Sequence, residues 1–105
     1  MDPLLNFIDG TFVPAEGGET LNTVNPATGE VITTLPRSKP SDVDAATRAA
    51  LNAAPAWSAT SMDERIRWLD TIAQALEEDA ETVARLESMD TGKPCLLYTS
   101  PSPRD

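Results

Sequence analysis

The stretch TSMDERIRWLDTIAQALEEDAETVARLESMDTGKP, residues 60–94, decides how the chain is read. Ser61 with Glu64 three places on is a capping box: the hydroxyl takes a free first-turn amide and the carboxylate reaches back to the cap's own amide. Ile66, Leu69, Ile72, Ala73, Leu76 and Ala80 follow at spacings of three and four. They form one apolar stripe on a helix of 3.6 residues per turn. Val83, Leu86 and Met89 continue the stripe beyond the acidic run Glu77-Glu78-Asp79, where the spacing allows a break and a second cap on Asp79. Gly92 suits the left-handed residue that closes a helix, and Pro94 keeps the helix from resuming. The segment therefore reads as a helical hairpin or a kinked helix. Its stripe calls for a large apolar partner surface, and the rest of the chain supplies little of one.

Upstream, two short apolar runs, Leu5–Ile8 and Thr11–Val13, flank Asp9-Gly10. This is a hairpin signal, because both central positions of a type I′ turn need positive φ. Pro14–Glu19 is a Gly-rich loop. Gly17-Gly18 has no Lys-Ser/Thr after it and no helix, so a plain turn outweighs a phosphate cradle. Thr20–Val24 and Glu30–Leu35 read as extended pieces joined by the turn Asn25-Pro26-Ala27-Thr28-Gly29. Pro36–Pro40 is a connector. Ser41-Asp42-Val43-Asp44 opens a helix whose inward face is Val43, Ala46, Ala50, Leu51 and Ala54, and which Pro55 ends. Trp57, just beyond, is a packing anchor for the next helix before it is a ligand stacker.

Composition narrows the function. The 105 residues are enough for one small domain. Eight basic against 17 acidic residues give a net charge of −9. That argues against a nucleic-acid groove and for an acidic, soluble, cytoplasmic surface. Histidine is absent, and with it the commonest general base and metal ligand. A single cysteine excludes an internal disulfide framework. No apolar run approaches the roughly 20 residues that span a bilayer, and no signal peptide is recognisable. Strands come first and helices follow, and the strands are too few and too short for a stable sheet. The pattern is that of a partial domain.

After Pro94 the sequence changes character. Cys95–Asp105 has neither a helical nor a strand period and holds the only Cys and the only Tyr. It resembles the translation of a transposase-type sequencing adaptor. The expectation is a native segment over residues 1–94 and a non-native, disordered tail over 95–105. Cys95 has no histidine anywhere to act as its base and is not read as a nucleophile.

Asn6-Phe7-Ile8-Asp9-Gly10, Asn25-Pro26-Ala27-Thr28-Gly29-Glu30, Pro55-Ala56-Trp57, Glu64-Arg65 and Leu86–Pro94 together resemble the N-terminal part of the aldehyde dehydrogenase superfamily. The resemblance implies an α/β fold: short β-hairpin strands, then three helical segments of the Rossmann-like cofactor-binding domain. It implies NAD- or NADP-dependent oxidation of a small-molecule aldehyde to a carboxylic acid in the intact parent enzyme, a homo-oligomer with no membrane or nucleic-acid partner. In such enzymes a Cys attacks the carbonyl, a Glu helps water release the thioester, and an Asn amide helps hold the oxyanion. No position here matches those residues or the cofactor-gripping ones, so no catalytic and no cofactor-binding residue is carried over, and this piece alone is expected to be inactive. One family feature maps inside it: a structural monovalent cation held by oxygens of Thr23, Val24 and Asp90. The plainer reading makes Thr23 a strand residue and Asp90 a helix-end cap. The rival functional reading is a small acidic helical interaction module that binds a partner through the Ile66–Met89 stripe.

Overall fold

The computed structural model of the chain describes residues 1–94. Cys95–Asp105, the segment read above as an adaptor-like tail, lies outside the described residues. The element order is β1 (Asn6–Ile8), β2 (Thr11–Val13), β3 (Thr20–Val24), β4 (Val31–Pro36), α1 (Pro40–Ser58), α2 (Met62–Glu78) and α3 (Ala80–Thr91). Two separate two-stranded sheets form, β1 with β2 and β3 with β4. The described residues divide into two compact units, one of residues 1–23 and 33–61, the other of residues 24–32 and 62–94.

In the first unit, β1 and β2 pair antiparallel with Phe7 opposite Phe12. Asp9 and Gly10 have φ of 55° and 76°, the two positive values that a type I′ turn demands. The register sets the Phe7 and Phe12 rings edge to face, 4.9 Å between centroids. Backbone bonds tie the remaining pieces together. The Leu4 amide donates to Thr34 O at 2.9 Å and the Arg37 amide to Glu19 O at 2.8 Å. The Thr33 hydroxyl, in a buried residue, donates to Asp2 O at 2.8 Å.

Helix α1 departs from the sequence reading at both ends. It starts at Pro40 with Lys39 as its cap residue, not at Ser41. Proline at the first helical position loses an amide that would have no partner there, so the connector's last residue becomes the helix's first. Pro55 does not end α1. It lies inside the helix, which runs to Ser58 and closes through the Ala59 amide on Pro55 O. Trp57 is therefore a residue of α1. The expected inward face is also largely uncovered: Val43 and Leu51 are exposed and α1 has no buried residue.

In the second unit α2 and α3 pack on each other, divided at Asp79 as the spacing suggested. The division differs in kind from a fresh cap. Asp79 makes no side-chain capping bond, and the backbone ladder runs through it: its amide donates to Ala75 O at 3.2 Å and its carbonyl accepts from Val83 at 2.9 Å. The stripe is real and uncovered. Leu69 is 66% exposed, Ile72 and Leu76 are exposed, and α2 has no buried residue. Among the described residues the buried apolar set is Ala15 and Ala84.

Candidate functional site

Two turns in the second unit are built to close specifications. Asn25 ends the β3 run and folds the chain on itself: its Oδ1 accepts from the Ala27 amide at 2.9 Å, and its carbonyl accepts from Gly29 at 2.7 Å. Gly29 supplies the positive φ of 78° that this turn needs, and the Asn25 amide closes it onto Glu30 O at 2.9 Å. At the other end of the sequence α3 stops on Gly92, left-handed at φ 80°, whose amide donates to Ser88 O at 2.9 Å. These two devices meet. A Cβ built on Gly92 would stand 3.2 Å from Pro26 Cγ. The Asn-Pro turn and the helix-ending Thr-Gly-Lys-Pro, far apart in sequence, are neighbours in space.

Three oxygen-bearing residues, Thr23, Val24 and Asp90, are the ones expected to hold a monovalent cation. Thr23 lies in β3, in the first unit, and its Oγ1 donates to Thr33 O at 3.3 Å. Val24, the last β3 residue, and Asp90, two residues before Gly92, belong to the second unit. Each of the two immediately precedes one of the meeting turns. Asp90 is exposed at the last turn of α3, where main-chain carbonyls run out of helical partners and the dipole is negative. The donors are hard oxygens of the kind an alkali cation takes. No cluster of three or more His, Cys, Asp or Glu suited to a metal occurs among the described residues. Any cation here would rest on carbonyls as well as on the Asp90 carboxylate.

Sequence reasoning missed the polar centre of the first unit. In the sequence Asp42 reads only as an early acid of α1. Its Oδ2 accepts from the Lys39 amide at 2.7 Å, fixing the start of the helix. Both of its carboxylate oxygens also accept from the Glu16 amide, at 3.0 and 3.1 Å. The Ser41 hydroxyl in turn donates to the Glu16 carboxylate. The loop of Gly17 and Gly18, with φ of 83° and 73°, is a turn closed by the Gly18 amide on Ala15 O, and it leads into β3, not into a helix. With the Glu16 amide turned to Asp42, it is not the row of free amides that cradles a phosphate. The sequence marks Asp42 as an early acid of a helix start; its bond to a loop 26 residues away is not legible there.

Open depressions occur in each unit. One of about 380 Å³ at the α2–α3 division is lined by Leu76, Ala80, Val83, Ala84 and Glu87. Its one polar side chain gives it no nucleophile and base pair. One of about 210 Å³ beside β1 is lined by Asn6, Phe7, Ile8, Ser38, Asp42, Val43 and Ala46, and its carboxylate is already engaged as described.

The profile of the aldehyde dehydrogenase family matches residues 12–100. The chain belongs to that family. It is 44% identical over 93 residues to aldehyde dehydrogenase [NAD(P)+] 1 of Saccharomyces cerevisiae, a match covering 88% of this chain and 18% of the yeast protein. Among solved structures, HpcC from Thermus thermophilus superposes with a TM-score of 0.89 at 41% identity, covering 91% of this chain and 19% of that one. The NAD+ complex of an aldehyde dehydrogenase from Bacillus cereus superposes with a TM-score of 0.86 at 37% identity, covering 90% and 20%. The short strands followed by three helices match the N-terminal part of aldehyde dehydrogenase structures. The chain spans about a fifth of the length of the relatives it matches.

Proposed function

We propose that this chain is part of an enzyme that oxidises an aldehyde to a carboxylic acid with NAD or NADP as acceptor. Membership of the family carries the proposal. The name of the yeast relative and the NAD+ complex of the Bacillus cereus one support the nicotinamide acceptor. Residues 1–94 would form part of the cofactor-binding domain of a cytoplasmic homo-oligomer. The chain by itself is inactive in this reading, because the nucleophile, the base and the cofactor contacts belong to other parts of such an enzyme. Within the intact protein, oxygens of Thr23, Val24 and Asp90 would hold a monovalent cation that pins the Asn25–Glu30 turn to the end of α3. The Pro26–Gly92 approach supports this role.

The test is to recover the uninterrupted reading frame past Pro94 from adaptor-free reads, express the full-length protein, and follow reduced nicotinamide formation with simple aldehydes. Turnover by the full-length protein and none by residues 1–94 is expected. A reading frame that continues without a catalytic Cys and Glu, or a full-length protein that reduces neither NAD nor NADP, overturns it. The cation is tested apart from activity: replacing potassium and sodium with a bulky organic cation should lower the melting temperature of the full-length protein, and Asp90→Asn should abolish that dependence. A second reading, an acidic helical module without catalytic activity, draws on the exposed α2 stripe. It gains if residues 1–94 prove to be the whole native chain.

A further inference from the structure

We draw no further inference here: the strongest candidate, the exposed apolar face of α2 and α3 from Ile66 to Leu86 with the open depression at their division, carries nothing because nothing in the structure shows what covers it.

Discussion

Gly92 joins a backbone requirement to a steric one. Its φ of 80° lies in the left-handed region, and a methyl group there would meet Pro26 Cγ at 3.2 Å. Gly92→Ala should therefore cost the full-length protein about 1–2 kcal/mol from the backbone alone, with the Pro26 contact adding to it. Chemical denaturation of the full-length variant checks this, and Pro26→Ala combined with Gly92→Ala should recover only the steric part. Asp42 makes the second residue-scale prediction. Asp42→Ala removes the acceptor of the Glu16 and Lys39 amides at the start of α1 and should cost about 0.5–2 kcal/mol, whereas Asp42→Asn keeps one acceptor oxygen and should cost less. Hydrogen exchange gives a signature that general destabilisation would not: the Glu16 and Lys39 amides should lose protection first. The sequence made half of each residue legible. Gly before Lys-Pro announces a helix end, and Asp in a first turn announces a favourable charge, because both are local effects. The Pro26 contact and the Glu16 bond depend on where distant chain segments arrive, which spacing does not encode. The residues proposed for a cation stand between these cases. Only the family resemblance points to Thr23, Val24 and Asp90, and the approach of the two turns beside Val24 and Asp90 is a structural fact that no local pattern in the sequence contains.

At the scale of elements, the hairpin around Asp9-Gly10, the Asn25–Gly29 turn and the division near Asp79 all follow from local chemistry, and all are where the sequence places them. The errors cluster at proline and at caps. The local pattern places a stop at Pro55, yet α1 passes through it for three more residues to Ser58. Proline removes one amide and crowds the preceding turn, but that cost of roughly 3 kcal/mol breaks a helix only when nothing else favours continuation. Here the Ala59 amide on Pro55 O and the Thr60 hydroxyl on Trp57 O at 2.7 Å close the last turn. Pro55→Ala should thus raise the helicity and stability of α1, by up to about 3 kcal/mol, without moving its end; circular dichroism of the variant and its denaturation midpoint read both. Asp79 makes the opposite case. A true N-cap replaced by alanine loses about 1 kcal/mol. Because Asp79 makes no capping bond and the ladder runs through it, Asp79→Ala should change stability by less than about 0.5 kcal/mol. A full capping loss would show that the side chain does bond the α3 amides in solution.

For the whole molecule the governing quantity is what remains uncovered. Fully burying a Leu or Ile side chain is worth roughly 1.5–3 kcal/mol, and that gain must offset the entropy of ordering the chain. Leu69, Ile72, Leu76 and Leu51 stay exposed, while the buried apolar residues among those described are two alanines. Alanine contributes little apolar area, so neither unit has a sizeable buried apolar core among its described residues. The sequence had indicated this imbalance: a strong stripe, few aromatics, strands too short to cover it. It could not show that α1 too would lack a fully buried residue, since Val43, Leu51 and the alanines between them have the pattern of a packed helix, yet Val43 and Leu51 stay exposed. Marginal local elements without a shared apolar core melt independently, because opening one costs the others nothing. A polypeptide of residues 1–94 alone should accordingly show a broad, shallow loss of helical ellipticity on heating and no calorimetric peak. It should also bind a hydrophobic dye before heating, through the face that runs from Ile66 to Leu86. Replacing Leu69 and Leu76 with Ser should reduce the dye signal and leave the shallow melt unchanged. A sharp two-state transition in a monodisperse monomer would mean that residues 1–94 bury these side chains in solution, and the account of an uncovered stripe would then be wrong.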